Sequence, residues 1–309
     1  MRLKNINKTI FVFLLAVFSI GLYATDVEFP ITQAFCYFPF SQHLTLAKKE
    51  LKLSMDINYS SVYSFNIPRT TINDMETMTS TTSVMYGLAD GLTLEGHYRF
   101  GVAYGGVMDK LIMDFHKLFS MPVGGRDKYP RNTVNYTYRD KFSINSQQTW
   151  QAPVVLGVLG RIYGKNNFAV NGRVAVGLPL SQKIGLSSSK PFVTAGLILA
   201  YDNKAKKLSA SWANHVSFFR TATWMEGEEL RNQIVHSEFR VDYKRIFGGL
   251  LFRSSPFKLK GFDLSNPARI VYLGVKIWKY FEFSMVEEFP PMDTTTDVTF
   301  CLRIKLFGY

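Results

Sequence analysis

Five histidines carry most of the proton-transfer and metal-binding potential of this sequence: His43, His97, His116, His215 and His236. An imidazole changes charge near neutral pH, and its neutral form is a metal ligand. Ser211, Ser217 and His215 occupy alternate positions of one stretch. They supply the nucleophile and base types of acyl transfer. No Gly-x-Ser-x-Gly elbow accompanies them, and their neighbours are small or apolar, so nothing marks a triad. Asp109, Asp114 and His116 offer cation ligands, but at i, i+5 and i+7 a helix spreads them around its circumference. The pairs Gly105-Gly106 and Gly124-Gly125 lack the Lys-Ser/Thr of a phosphate loop. The two cysteines, Cys36 and Cys301, show no zinc spacing. A disulfide between them is open, provided their Cα atoms come within ~7 Å; two unpaired thiols are the alternative. The expectation is a non-enzyme with no catalytic residue, metal or cofactor.

What positions these side chains is a strand in most cases. Leu92, Leu94, Tyr98, Phe100, Val102 and Tyr104 alternate with Thr93, Glu95, His97, Arg99 and Ala103. Successive strand side chains point to opposite faces, so one face here is greasy and aromatic and the other polar. The same pattern recurs in 51–59, 168–178, 235–244 and 297–306, and more weakly near 76–88, 132–142, 150–163, 190–202, 206–220, 247–255, 268–278 and 280–288. Many of these runs have the ~9–11 residues that cross a bilayer as a tilted strand. Turn-forming clusters separate several of them: Ala89-Asp90-Gly91, Gly164 to Asn167 and Asp202 to Lys206. About thirteen candidates result. Closed bacterial barrels have even strand numbers, which predicts an all-β transmembrane antiparallel barrel of about twelve strands, within ten to fourteen. A soluble β-barrel is the structural alternative. In this register Phe100 faces lipid and Arg99 faces the lumen.

Residues 1–24 read as a signal peptide cleaved near Ala24. Arg2, Lys4 and Lys8 precede an apolar run, Ile10 to Ile20, too short for a membrane span. Residues 25–309 then form the outer-membrane barrel. The net charge of +12 falls to +9 once those three basic residues are removed. A secreted chain meets no nucleic acid routinely, so this charge points to outer-membrane lipid, lipopolysaccharide or a small anionic solute. The barrel-assembly machinery would be a partner during biogenesis. Hydrophobic residues make up 47% of the chain, yet the mean hydropathy is zero, as alternation rather than helical spans would give.

Residues 105–131 break the alternation. Val107, Met108, Leu111, Ile112, Phe115, Leu118 and Phe119 recur at helical spacing, which predicts an amphipathic helix in a long external loop. Gly105-Gly106 opens the loop and Gly124-Gly125 closes it. The helix can close the barrel mouth, with Arg126 and Arg131 tied to lumenal acids such as Glu95, or lie flat at the membrane interface. The first arrangement is the expectation carried forward. The candidate binding residues are therefore Asp109, His116, Gly124, Gly125, Arg126 and Arg131 on the loop, with Glu95 and Arg99 in the lumen.

This loop resembles a known family. Gly105, Gly106, Asp109, Phe115-His116, Met121-Pro122, Gly124-Gly125-Arg126 and Pro130-Arg131 follow the pattern of the bacterial envelope family called domain of unknown function 3187. The runs Gly87 to Gly91 and Asp297 to Phe300 fit it too, while Lys110-Leu111 depart from it. The resemblance implies an outer-membrane β-barrel and no assigned activity. The expected function is a passive channel or narrow transporter with a helix-bearing plug. The alternative is an envelope protein that binds lipopolysaccharide or a partner through the loop; a barrel enzyme ranks third.

Overall fold

The computed structural model describes residues 43–65, 71–118, 130, 132–187, 190–228, 230–256, 268–288 and 296–308. The strands are β1 (Leu51–Phe65), β2 (Thr71–Ala89), β3 (Leu92–Tyr104), β4 (Asn135–Tyr138), β5 (Phe142–Ile144), β6 (Gln148–Gln151), β7 (Val154–Lys165), β8 (Phe168–Leu178), β9 (Phe192–Asn203), β10 (Leu208–Phe219), β11 (Gln233–Tyr243), β12 (Ile246–Arg253), β13 (Ala268–Lys276), β14 (Phe281–Glu288) and β15 (Thr296–Phe307). The helix α1 spans Met108–Leu118. Neighbouring strands are antiparallel, and β1 pairs with both β2 and β15, so the sheet closes into a barrel.

The wall has twelve strands. β6 and β7 run in succession along one edge of β3, with Gln148–Gln151 opposite Ala103–Phe100 and Val155–Gly160 opposite His97–Leu92. They part at Ala152-Pro153, where proline has no N–H for the ladder. β4 continues the wall beyond the end of β3, pairing with Thr71–Asp74 of the long strand β2, and folds back as the hairpin β4–β5. The thirteenth candidate of the sequence, 132–142, is this hairpin.

Short turns gather at one end of the barrel: Asp90-Gly91, Asn166-Asn167, 204–207, Lys244-Arg245 and 277–280. Gly91, Asn166, Lys207 and Lys244 adopt positive φ there, as tight hairpins require. Leu51 and Phe307, the wall's own ends, lie at this end too. The long connections lie at the other end. In outer-membrane barrels the short-turn end is periplasmic.

The two faces follow the predicted alternation. Tyr86, Leu94, Phe100, Trp212, Phe239 and Leu273 point outward and are exposed, whereas Ser54, Thr81, Glu95, His97, Arg99 and Arg173 point inward and are buried. Long loops fold over the outer mouth and fill it with an apolar core. Tyr136, Tyr138, Trp150, Leu186, Met225 and Leu230 pack against inward-facing Val62, Met75, Phe192, Phe219 and Ile234. Each large side chain buried there contributes roughly 1.5–3 kcal/mol. Polar ties lock the loops to one another: Tyr136 Oη donates to Gly185 O at 2.9 Å, Tyr138 Oη donates to Glu228 at 3.1 Å, and Arg139 pairs with Glu228 at 3.0 Å.

α1 is not part of this cover. Among its buried residues, Met108 and Ile112 pack on Val298, Tyr59 and Phe300. Those three belong to the outward register of β1 and β15, in which Tyr59 lies opposite Phe300 and Ser61 opposite Val298. The described helix therefore lies on the outside of the wall, not in the mouth, which corrects the expected plug. Its apolar face finds a greasy partner outside, whereas the mouth is already filled by β4–β5 and the loops 179–187 and 220–230.

Candidate functional site

The lumen of a barrel can hold charge only where each charge finds a partner, because burial of an unpaired ion costs several kcal/mol. Glu95 on β3 and Arg173 on β8 meet this condition across the intervening strand β7. Arg173 Nε donates to Glu95 Oε1 at 2.7 Å and Nη2 to Oε2 at 3.2 Å, and both side chains are fully buried. Gly157 makes the crossing possible: a Cβ there would stand 2.9 Å from Glu95 Oε1. The other arm of Arg173 donates to His215 Nε2 on β10 at 3.1 Å, across β9 at Gly196, where a Cβ would come within 2.2 Å of the imidazole. His215 stands edge-on to His236 of β11, ring centres 6.0 Å apart. On the other side of Glu95, His97 bonds Ser83 at 2.9 Å and Arg99 Nε donates to Thr81 at 2.8 Å. The result is a polar belt from β2 to β11.

A second charged belt lies nearer the short-turn end. Arg303 grips Asp56 at 2.6 and 3.1 Å, Lys305 grips Glu282 at 2.6 Å, and Asp242 takes Arg240 at 2.8 Å and Lys276 at 2.7 Å. Arg240 also stacks on the Phe247 ring at 4.4 Å. Arg240, Asp242, Glu282, Arg303 and Lys305 line a cavity of about 170 Å³ together with Tyr201, Ser211 and His43.

His43 comes from a segment that precedes the wall and enters the lumen. Lys49 N donates to Gly87 O, Lys48 N to Asp90, and Leu46 N to Thr93 Oγ1 at 2.7 Å. Arg161 reaches Thr45 at 2.8 Å, and Asn171 donates to His43 O at 2.7 Å. Ser211 Oγ lies 2.5 Å from His43 Nδ1. Residues 43–49 are thus held by β2, β3, β7, β8 and β10, with His43 and Leu46 buried. Burial, then the positive charges of Arg173 and Arg240, lowers the His43 imidazole to about 3.

The predicted site residues fare unequally. Glu95 and Arg99 face the lumen as expected, and both carboxylate oxygens of Glu95 are engaged by Arg173. Asp109 is buried at the start of α1 and accepts the Asn132 N–H at 2.8 Å, so it ties the returning chain to the helix. His116 lies in α1, and its side chain is outside the described residues, as are Gly124, Gly125, Arg126, Arg131 and the signal peptide. Cys301 sits in the lumenal register opposite Asn58, whereas Cys36 is outside the described residues. Sequence reasoning missed Arg173, Ser211 as an anchor for His43, and the segment 43–49. Gly157 and Gly196 are the available signal, since glycine inside a strand marks close approach by another group. Among the described residues no group of three His, Cys, Asp or Glu could hold a metal.

The family model described as protein of unknown function (DUF3187) matches residues 14–306. The chain belongs to this family. Its fold is also that of solved outer-membrane barrels. The COG4313 outer membrane channel from Pseudomonas putida F1 is similar with a TM-score of 0.54 at 8% identity, over 87% of this chain and 100% of that one. The toluene transporter TbuX from Ralstonia pickettii has a TM-score of 0.43 at 8% identity, over 93% and 100%. A Pseudomonas aeruginosa FadL homologue has 0.41 at 8% identity, over 94% and 100%. No curated protein matches the chain. This DUF3187 member is therefore an outer-membrane-type barrel, with a family match across nearly its whole length.

Proposed function

We propose that this barrel is a narrow channel or transporter for a small polar solute, closed at the outer mouth by its loops and at the inner end by residues 43–49. The observation that carries the reading is the seat of that segment: five wall strands bind a stretch of chain inside the lumen, where a permeating solute has to pass. The charged cavity beside His43 suits a solute that can exchange hydrogen bonds with both carboxylates and guanidinium groups. That the COG4313 neighbour is a channel supports the class of function. The test is deletion of residues 25–47 with the signal peptide retained. The deleted barrel should still show the heat-dependent gel shift of a folded barrel and should conduct several-fold more in planar bilayers than the parent. A folded deletion variant with unchanged conductance sinks the reading.

Catalysis fits this lumen poorly. Ser211 and His43 form the one hydroxyl–imidazole pair at the cavity, but an imidazole held at about 3 is a weak base for removing a seryl proton at neutral pH. The pair serves instead as an anchor for the segment.

A further inference from the structure

An acidic side chain on the lipid-facing side of a barrel is out of place unless something covers it. Glu76 occupies such a position: it lies opposite Ser61 and Tyr104, two residues from the exposed Met78 of the same face. It is nevertheless buried, and its carboxylate accepts the Met108 N–H at the start of α1 and the Tyr59 hydroxyl. A carboxylate at a helix N-terminus satisfies free N–H groups and complements the helix dipole. Gly106 (φ 62) brings the chain down onto Glu76, because a Cβ there would overlap the carboxylate. The wall thus latches α1 to its outer surface.

The helix circumference then divides into three sectors. At about 100° per residue, Met108 and Ile112 pack on the wall, and the buried Asp109 and Met113 widen that covered sector to about 140°. Immediately beside it lie Val107, Leu111 and Leu118, exposed at 72%, 60% and 77%. Next come Asp114, Lys110 and Lys117, which are exposed and polar. The greasy exposed row thus adjoins the covered sector beside Met108, and the polar row, in which Lys110 pairs with Asp114 at 2.8 Å, lies between that row and Met113. The height fits as well. Ten residues of β2 separate Tyr86, near the short-turn end, from Glu76. At ~3.3 Å per residue and a tilt of ~40° this is about 25 Å, the height of the apolar band of such barrels.

We propose that α1 is an interfacial anchor in the outer leaflet, with Val107, Leu111 and Leu118 among the acyl chains and Lys110 and Lys117 at lipid phosphates. Amphipathic helices with lysines above an apolar row take this position. The proposal is independent of whether the lumen conducts.

Spin labels test it in a background of Cys36→Ser and Cys301→Ser. Labels at Leu111→Cys, Leu118→Cys and Lys117→Cys are read in proteoliposomes of phosphatidylethanolamine and phosphatidylglycerol, with Phe100→Cys as the lipid-facing reference. The ratio of oxygen to nickel-chelate accessibility should be several-fold higher at 111 and 118 than at 117, and close to that at 100. Ratios at 111 and 118 as low as that of a water-exposed site would mean a surface free in water, open to a protein partner, and would overturn the proposal. Glu76→Ala should lower the ratio at 111, and no change there would overturn the latch. The unsubstituted chain gives a parallel test that needs no variant. A photoactivatable phospholipid should form adducts within residues 107–118 as well as on the strand bearing Phe100; adducts on that strand alone would count against the anchor.

Discussion

At the scale of single residues the lumen is organised by Arg173. It bonds Glu95 and His215 on opposite sides, and each bond crosses a strand that carries glycine at the crossing point. Removing one partner of a fully buried pair strands the other charge, so Glu95→Gln should destabilise the barrel by about 3–5 kcal/mol. Glu95→Leu combined with Arg173→Met should cost far less than either single change. Denaturant unfolding of detergent-solubilised protein measures both, and equal losses in single and double variants would contradict the pairing. His43 makes a pH prediction. Its imidazole falls from an ordinary 6.5 to about 3 on folding, so the neutral form is the one seated. The stability this lends is complete above about pH 6.5 and is lost as pH falls toward 3. The groups around the ring are Ser211 on β10, Asn171 and Arg173 on β8, and His236, Glu238, Arg240 and Asp242 on β11. Acidification should therefore release the segment and raise conductance, and His43→Gln should flatten that response. The lumenal place of Glu95 was legible from the chain, but its pairing was not: Arg173 alternates like any lumenal residue, and only the fold shows which partners lie two strands away.

At the scale of elements, the sequence carries the wall and not the placement of what decorates it. Period-two alternation identifies a strand and its greasy face by physics that holds for each strand separately, so Phe100 outward and Arg99 inward follow directly. Phe100→Arg should cost ~2–4 kcal/mol, because it puts a charge against lipid. Arg99→Ala should also destabilise, by a smaller amount, because Arg99 is buried and bonded to Thr81 rather than wetted. Refolding into lipid vesicles under denaturant reads both, and a larger loss for Arg99→Ala would reverse the register. The stretch 132–142 alternates as a wall strand does, yet forms the mouth hairpin, because β2 outruns β3 and leaves its outer edge open to β4. Helical spacing in 107–119 gave the amphipathic helix but not its seat, since an apolar stripe fits the mouth and the outer wall alike. Glu76, 32 residues before Met108 where the helix begins, decided between them.

At the scale of the whole molecule, both ends of the barrel are occupied, by interlocked loops outside and by residues 43–49 inside. The two closures are built differently, and this predicts different responses. Glu228 receives both Tyr138 and Arg139, so Glu228→Ala should loosen the cover and produce flickering openings without a lasting rise in conductance. Deletion of the inner segment should give the lasting rise. Single-channel records separate the two, and a sustained open state in Glu228→Ala would assign the main barrier to the mouth. The overall architecture was legible because a closed, even-stranded wall is what two-faced strands of this length require. The inner closure was not, since the short stretch 43–49 ahead of the first strand carries no periodicity that places it in the lumen.

The seam between β1 and β15 sets the tempo of assembly. Ser60 and Thr299 share a hydrogen bond of 2.7 Å although 239 positions separate them along the chain. Most other wall pairings join consecutive strands, so they can form early and at little entropic cost. The seam has no such advantage: it should form after the rest of the wall, and until then both edge strands offer unpaired backbone to any neighbour. Closure should therefore be the slow step, and the time spent open the time when this chain is most exposed to aggregation. A change confined to Ser60 or Thr299 should leave the spectrum of the finished barrel intact while lengthening the wait for it.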